Sequence, residues 1–459
     1  MSLEIKDLDQ VLTEIGSGVW QFKLLTTLCA GTFADAMELS LLAFLTPCAQ
    51  AEFDLTDSEA SMISSVVFLG SFIGSIFFGI YADIQGRKSA YIISLSIIAL
   101  FGIATFFAPN YRVLLLFRGC LGFGIGGSIA PFDYIAEVVP VKKRGSICLV
   151  AMLFFGLGSI LTTAIAWAVL GRYGWHILAL VCTIPVFLCL FSSFTIPESP
   201  RWLLSQGRTA EATEALNRAA AVNNKELGQF ILKKTSEKRI SHRAIFKIIC
   251  SKYLYNSIFF TLSWFCLGFA YFATVSEISL MFMRNQTTTQ SCSFLYLNIL
   301  VSALSESLFT VFSLVFIEKS RRLTQGVNYF LAAVLVIFLG ANNNSLLLSL
   351  LAFATRGFVC ASSNATWVIT PESFPTEIRA SMHSFLYLVS RIGAMTSSLV
   401  VYSELSRQTV CTIISLSCLI PGVCSLAMKE TAGTQLDQSP EPKKKKINQV
   451  PNETQELIA

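Results

Sequence analysis

Long apolar runs follow one another along nearly the whole sequence, and they limit what this chain can fold into. Apolar residues make up 53% of the chain and charged residues only 14%, which is not the composition of a soluble domain of this length. A helix of roughly 18 or more apolar residues crosses the hydrocarbon core of a bilayer. We predict twelve such helices, which begin near Trp20, Ala60, Ser89, Arg112, Ser146, Trp175, Tyr253, Ser293, Gln325, Ser345, Ser381 and Gln408.

The basic residues predict which side of the membrane holds the two termini. About twenty mostly polar residues precede the first run, and no small-residue cleavage site follows it, so we do not expect a cleaved signal peptide. With the termini in the cytoplasm, most of the 34 basic residues fall in cytoplasmic segments, as the positive-inside rule requires. The net charge of +5 then reflects this topology and gives no reason to expect a nucleic-acid partner.

The pattern Glu-x-x-Pro-x-x-x-Arg occurs twice, about half the chain apart. The copies are Glu137–Arg144 and Glu372–Arg379, and each closes an apolar stretch that opens near an arginine, Arg118 or Arg356. An internal repeat of this length in a membrane chain is typical of a transporter built from two related helix bundles.

A further motif lies between the second and third predicted spans. Residues 79–88 read Gly-x-x-x-Asp-x-x-Gly-Arg-Lys, which resembles the loop motif of the major facilitator superfamily. A glycine permits a tight turn, and we expect Asp83 and Arg87 to pair with the other half when the cytoplasmic side is closed. The second half has only a partial copy at residues 318–322, without the glycine. This difference predicts an asymmetric gate.

Two other segments extend the resemblance over nearly the whole chain. Residues 197–204 follow the sixth span and residues 429–433 follow the twelfth, and both are similar to motifs that sugar porters and organic-ion transporters place at the end of each half. The resemblance implies an all-α membrane protein, with twelve transmembrane helices in two pseudo-symmetric six-helix bundles of 3+3 inverted repeats. The residues expected to form its cytoplasmic gate are Asp83, Gly86, Arg87, Lys88, Glu137, Arg144, Glu198, Arg201, Glu372 and Arg379.

The spans and polar intervals predict five segments. They are a cytoplasmic N-terminus (1–19), an N-terminal six-helix bundle (20–196), a cytoplasmic linker with amphipathic helices (197–252), a C-terminal six-helix bundle (253–428) and a cytoplasmic disordered tail (429–459).

One asparagine and the cysteines raise the question of covalent modification. Asn285 starts an Asn-x-Thr sequence in the outer loop after the seventh span, so it is a candidate glycosylation site. The 13 cysteines have no paired spacing, and we interpret them as small buried hydrophobic residues, without a disulfide framework.

Charged residues inside the spans are functional candidates, because a charge at a helix centre costs about 2.5 to 3.5 kcal/mol on insertion scales. The first span carries Asp35 and Glu38 on one helical face, and the fourth carries Arg118. In proton-coupled sugar porters a first-span aspartate pairs with an arginine at the place of Arg118. The resemblance therefore implies that these three residues couple protons, with Asp35 as the acceptor and Arg118 as its partner; a purely structural bridge between the two is the competing interpretation.

The substrate is predicted from the eighth and eleventh spans, which carry Glu306 and Arg391 and resemble those of synaptic vesicle glycoprotein 2-related proteins and niacin porters. The amides and the proline typical of sugar porters are absent. In organic-ion transporters the position matching Arg391 tends to be arginine where substrates are anions, and arginine offers two donors to a carboxylate. We predict a small organic anion such as an aromatic monocarboxylate. If Glu306 neutralises Arg391, a zwitterion or neutral solute fits better. The other candidate cavity residues are Trp264, Tyr271, Asn364, Trp367 and Tyr387.

These features together predict a secondary active transporter, a proton symporter working by alternating access as a monomer in the plasma membrane or an intracellular vesicle membrane. Its partners would be a small organic solute, protons and the lipid bilayer. No nucleophile elbow, phosphate loop or His-rich cluster is present, and the histidines (176, 242 and 383) are expected near helix ends or in the linker, so we predict no enzyme activity, cofactor or metal. The alternatives are an organic cation or zwitterion porter, a sugar or polyol porter, and a non-transporting vesicle receptor or scaffold.

Overall fold

The computed structural model describes residues 4–16, 18–138, 144–228, 230–233, 249–284, 292–374 and 376–431. The predicted glycosylation site, Asn285, lies outside these ranges, as do His242 and the predicted tail beyond residue 431.

Helices account for most of the described chain. In the first half they are α1 (Leu8–Ile15), α2 (Val19–Glu52), α3 (Asp57–Gln85), α4 (Arg87–Phe106), α5 (Tyr111–Ile125), a 3-10 turn (Gly126–Ser128), α6 (Ile129–Val138) and α7 (Arg144–Ser193). In the linker and second half they are α8 (Pro200–Ser205), α9 (Thr209–Val222), a π-helical turn (Ile249–Tyr253), α10 (Leu254–Arg284), α11 (Tyr296–Ile317), α12 (Arg321–Ala341), α13 (Ser345–Ser373), α14 (Thr376–Val401) and α15 (Arg407–Ala427).

All twelve predicted spans fall on these helices. Ten helices of the described chain are long and apolar enough to cross a membrane. One of them, α7, holds two spans, because Gly174 in its middle has a φ of 76° that breaks the helix. The fourth span is divided differently: α5 has only 15 residues and continues through the 3-10 turn into α6.

The even number of spans places the start of α2 and the end of α15 at one end of the molecule. We call this end the terminal face, and the other end the opposite face. The terminal face also carries a small addition to the all-α fold, since β1 (Glu4–Lys6) pairs in parallel with β2 (Phe230–Leu232). The apolar side of α1 is buried, and α1 packs on the linker helix α9. The segment before the first span is therefore folded against the linker.

The two halves meet mainly where α3 packs on α14 and where α7 packs on α11. At the opposite face one apolar cluster contains residues of both halves; Phe44 and Phe294, for example, have ring centroids 5.3 Å apart. Another cluster, which includes Phe260, Phe374 and Ile378 near the terminal face, contains residues of the second half only. The described apolar contacts thus close the opposite face.

A disulfide also joins the halves at the opposite face. Cys48 at the outer end of α2 is bonded to Cys292, just before α11, with their Cα atoms 5.3 Å apart. The interpretation of all the cysteines as unpaired was therefore wrong for these two, which are 244 residues apart in the sequence and come together only in the fold. Among the other cysteines whose side chains are described, all are free and all but Cys120 are buried.

Candidate functional site

At the terminal face of the first half, two glutamates accept hydrogen bonds from residues around the turn between α3 and α4 and from Ser199. Arg87 donates from Nε to Glu137 Oε1 at 3.1 Å and from its backbone N–H to Glu198 Oε1 at 2.9 Å. Lys88 donates its backbone N–H to the same Glu198 oxygen at 3.1 Å, and the Ser199 hydroxyl donates to Glu137. Burial raises the pKa of the Glu198 carboxyl, and its three backbone donors act in the opposite direction.

The second half builds the same arrangement from repeat-related residues. Arg321 Nε lies 2.6 Å from Glu372 Oε2, and the Arg321 backbone N–H donates to Glu430 Oε1 at 3.0 Å. The Thr431 hydroxyl donates to Glu372 at 2.8 Å, and the Ser320 hydroxyl donates to Glu430. The asymmetry expected from the partial motif is therefore not found in these contacts.

The backbone explains why only the first half has a glycine at this turn. Gly86 has a φ of 106°, which is strained for any residue with a Cβ, and an added Cβ would meet the Glu198 carboxylate. Ser320 at the start of α12 instead has an extended backbone, with a φ of −158°. A side chain is tolerated there, and it supplies a hydrogen bond to the network.

The ion pairs found between described residues at the terminal face each join groups of the same half or of its adjoining segments. Arg87 pairs with Asp83 at 2.9 Å, and Arg201 with Asp9 at 2.5 Å. The expected pairing of Asp83 and Arg87 with the other half concerns the closed terminal face and stays a prediction. Arg379 donates to the Phe374 carbonyl at 3.2 Å, and Arg144 begins α7, with its side chain outside the description.

Deep in the first half, Arg118 forms an ion pair with Glu38. Arg118 Nη1 lies 3.1 Å from Glu38 Oε2, and both side chains are 0% exposed. A second guanidinium nitrogen donates to the Glu38 carbonyl at 3.4 Å. The prediction that Arg118 pairs with Asp35 was wrong. Arg118 lies in the part of its span nearer the opposite face, and Glu38 is one helical turn closer to that face than Asp35.

Asp35 lies close to the second half instead. Its side chain is 7% exposed and lies beside Ser128 of the 3-10 turn and within electrostatic range of Arg391 from the second half. An acid of the first bundle and a base of the second are therefore close enough to interact electrostatically.

The second half also buries an arginine–glutamate pair. Arg356 Nε lies 2.7 Å from Glu306 Oε1, which also accepts a hydrogen bond from the Tyr271 hydroxyl at 3.0 Å. The other Arg356 nitrogens donate to Ser302 at 3.3 Å and to Ser159 at 2.6 Å. Since Ser159 belongs to α7, this last bond crosses between the halves.

Arg391 on α14 is left without an acidic partner at ion-pair distance among the described residues. It is 8% exposed, donates to the Tyr387 hydroxyl and lies 4.3 Å from the centroid of that ring. Its Nε has no hydrogen-bond partner in the described part of the chain. Glu306 does not neutralise it, because that carboxylate is held by Arg356.

Aromatic rings continue from Arg391 toward the terminal face. The Trp367 ring lies 5.9 Å from Tyr387, 5.2 Å from His383 and 4.8 Å from Trp264. His383 was expected near a helix end, but it lies inside α14 and is 6% exposed. Three of the predicted cavity aromatics thus share one cluster beside Arg391.

The remaining candidates belong to the Glu306 group. Tyr271 bonds to Glu306, and Asn364 donates to the Thr310 hydroxyl at 2.7 Å, one turn beyond Glu306 on α11. Sequence reasoning missed Arg356 as a site residue. The available signal was its place as the repeat counterpart of Arg118 in a span that precedes the second Glu-x-x-Pro-x-x-x-Arg copy.

Comparisons with known proteins agree with this architecture. The sequence model of the family described as "Sugar (and other) transporter" matches residues 30–441. The synaptic vesicle 2-related protein of Bos taurus is 28% identical over 458 residues, which cover 94% of this chain and 82% of that protein. The organic cation/carnitine transporter 7 of Arabidopsis thaliana is 26% identical over 478 residues, which cover 94% of this chain and 96% of that protein.

Solved structures resemble the fold. The partially occluded inward open conformation of the Escherichia coli xylose transporter XylE aligns with a TM-score of 0.71 at 18% identity, covering 91% of this chain and all of that one. The proton:xylose symporter XylE bound to 6-bromo-6-deoxy-D-glucose aligns with a TM-score of 0.70 over 91% of this chain and 98% of that one. The predicted all-α fold of two six-helix bundles is confirmed.

The turn at Gly86 can be tested by a pair of alanine substitutions in one motif. Gly86→Ala forces a Cβ into a backbone that costs roughly 1–2 kcal/mol for L-residues and into the Glu198 carboxylate, so we expect a lower melting temperature of the purified protein. Gly79→Ala is the control, because nothing lies within 4 Å of its added Cβ. Equal melting temperatures for the two variants would contradict the proposed role of the turn.

The buried pair in the first half predicts a non-additive effect. Arg118→Gln leaves Glu38 buried without a countercharge, which typically costs about 3–5 kcal/mol. Adding Glu38→Gln removes that charge, so the double variant is expected to be more stable than Arg118→Gln alone. Unfolding of the detergent-purified variants measures this coupling; a double variant that is less stable than both single variants would argue against the ion pair.

Proposed function

Because this chain belongs to the sugar (and other) transporter family, within the major facilitator superfamily, it is an integral membrane transporter and not an enzyme, and we propose that it is a proton-coupled symporter of a small organic anion. An aromatic monocarboxylate is the proposed substrate type. We assign the terminal face to the cytoplasm from the positive-inside distribution of basic residues. Similarity to the synaptic vesicle 2-related protein favours an intracellular vesicle membrane, with the plasma membrane as the alternative.

The observation that carries the substrate proposal is the arrangement around Arg391. A buried guanidinium without an acidic partner is costly, so a ligand carboxylate that accepts two of its N–H groups would both bind and neutralise it. The rings of Tyr387 and Trp367 beside it offer apolar faces for an aromatic ring. A monocarboxylate with a ring fits both features.

Asp35 is the proposed proton acceptor. It is not held by Arg118, which pairs with Glu38. An ionised Asp35 would be attracted to Arg391 and would compete with an anionic substrate for it. Protonation of Asp35 removes this competition, so proton binding and anion binding would favour each other, which is the coupling that symport requires.

Alternating access would then move the two bundles about the midplane site. The described contacts close the opposite face, through the apolar cluster and the Cys48–Cys292 disulfide. Closing the terminal face would bring the Arg87 and Arg321 networks toward each other and exchange pairs within one half for pairs across the halves. Since one chain holds both bundles, a monomer is sufficient for this cycle.

One observation favours a second candidate substrate. Asp35 and Arg391 present opposite charges from opposite halves, and this is the complement of a zwitterion. The similarity to a protein named organic cation/carnitine transporter 7 supports the same alternative. In that case Asp35 would bind the cationic group and would remain ionised during transport.

The substrate class can be tested by ligand-induced stabilisation of the purified protein. Nicotinate, L-carnitine, tetraethylammonium and D-xylose represent an aromatic monocarboxylate, a zwitterion, a cation and a sugar. A ligand present at 100 times its Kd stabilises the folded state by about 2.7 kcal/mol. We expect nicotinate to raise the melting temperature of the wild type and not of Arg391→Ala. Arg172→Ala, which removes an exposed arginine near the opposite face, is the control and should respond like the wild type.

Stabilisation by L-carnitine alone would favour the zwitterion candidate, and stabilisation by nicotinate in Arg391→Ala would remove Arg391 from the site. A ligand that stabilises the protein but shows no flux into proteoliposomes would support a non-transporting receptor instead.

Proton coupling is tested by Asp35→Asn, which removes the titratable group and keeps the side-chain size. For the ligand found above, we expect uptake into proteoliposomes to lose its dependence on an inward proton gradient, while exchange of labelled for unlabelled substrate continues. Asp57→Asn, at the exposed start of α3, is the matched control. Unchanged gradient-driven uptake in Asp35→Asn would refute the assignment of Asp35.

A further inference from the structure

A cavity lies at the terminal face, away from the proposed transport site. Its volume is about 700 Å³, and it is bordered by the start of α2, the start of α4, the segment after α7 and the linker helix α9. Three basic residues from three of these elements line it: Lys23, Lys88 and Arg218. No acidic residue is among the lining residues that the structure describes.

The positive charge of this cavity is only partly compensated. Lys88 donates from Nζ to the Phe194 carbonyl at 3.1 Å. This bond occupies one N–H donor but does not neutralise the ammonium charge. Arg218 pairs with Glu214 at 2.5 Å, but both side chains are more than half exposed, so solvent weakens this pair. Among the described residues, Lys23 and Lys88 have no carboxylate at ion-pair distance. The cavity therefore attracts an anion.

The walls and the rim of the cavity are apolar. Trp20, Leu24 and Ile196 line it, and tryptophan is enriched at the level of lipid headgroups. Large hydrophobic side chains are exposed at the start of α2 and just after α7, including Phe22 at 72% and Phe194 at 56%. A soluble anion would gain nothing from these surfaces, whereas acyl chains would cover them.

We propose that this cavity binds the phosphate-bearing headgroup of an anionic phospholipid from the cytoplasmic leaflet. The phosphate accepts hydrogen bonds from Lys23, Lys88 and Arg218 and is attracted by their positive charges. The acyl chains lie along the exposed side chains at the ends of α2 and α7. Charge complementarity and position at the end of two spans together select a lipid, since anionic lipids are concentrated on the cytoplasmic side and are attracted by basic residues there.

A lipid in this place would connect the linker with the first bundle. The linker is already tied to the start of α2, because Asn223 Oδ1 accepts from the Trp20 backbone N–H at 2.9 Å and Asn223 Nδ2 donates to Gln21 at 2.7 Å. Arg218 lies one turn before Asn223, and Lys88 follows Arg87 of the terminal-face network. The bound headgroup would hold α9 against the bundle beside that network, whatever the transported substrate is.

The test uses the full-length protein purified in detergent. Phosphatidylserine and phosphatidylinositol 4-phosphate are added in mixed micelles, with phosphatidylcholine as the neutral lipid and inorganic phosphate as the soluble anion. Bound lipid is counted by native mass spectrometry, and the melting temperature is measured in parallel. We expect the anionic lipids to be retained and to raise the melting temperature, and phosphatidylcholine and millimolar phosphate to do neither.

Two double variants separate a site from a general charge effect. Lys23→Gln with Arg218→Gln removes two exposed cavity charges and leaves the gate residue Lys88 intact; we expect at least a tenfold weaker retention of the anionic lipids. Arg208→Gln with Lys225→Gln removes the same two charge types from residues that do not line the cavity, and retention should stay at the wild-type level.

The proposal is overturned if both double variants lose retention equally, or if phosphatidylcholine is retained as strongly as phosphatidylserine. Stabilisation by inorganic phosphate equal to that by lipid would overturn the lipid assignment and leave a soluble phosphate as the ligand. An unchanged retention in Lys23→Gln with Arg218→Gln would remove the cavity itself from consideration.

Discussion

Each half of this protein buries an arginine and a glutamate against each other inside the membrane, and the rest of the arrangement depends on these two pairs. Glu38 holds Arg118 in the first half, and Glu306 holds Arg356 in the second. A charge in this environment is tolerated only when it is paired or hydrogen-bonded. The pairs therefore link α2 to α5 and α11 to α13, and they decide which charged groups are left over.

The charged groups left over define the proposed transport site. Once Glu38 and Glu306 are engaged, Asp35 and Arg391 have no ion-pair partner among the described residues, and they interact electrostatically across the two bundles. The bond from Arg356 to Ser159 of the first half shows that the second pair also contacts the interface. A rearrangement of the bundles would therefore alter the surroundings of both pairs as well as the distance between Asp35 and Arg391.

The terminal face repeats one network twice with different residues. Glu137 and Glu372 occupy equivalent positions and were predicted from the doubled sequence pattern. Residues 318–322 and 429–433 were recognised as the matching segments of the second half, but Ser320, Arg321 and Glu430 were not predicted as gate residues. The second motif lacks the glycine. The structure explains the difference: the first turn needs a positive φ, and the second turn is extended at Ser320. The two halves therefore form matching networks although their sequence motifs differ.

The sequence alone determined the number and positions of the spans, because apolar runs of membrane length have no other stable solution than a helix in lipid. It also determined the two-bundle organisation, through the repeat. Only the tertiary structure decided which acid meets which base. Asp35 and Glu38 lie on one helical face, so the sequence allows either of them to pair with Arg118. Which one does so depends on the relative depth of two antiparallel helices, and no local sequence pattern encodes that depth. The same reason applies to Cys48 and Cys292, since residues 244 positions apart meet only when the two bundles are packed.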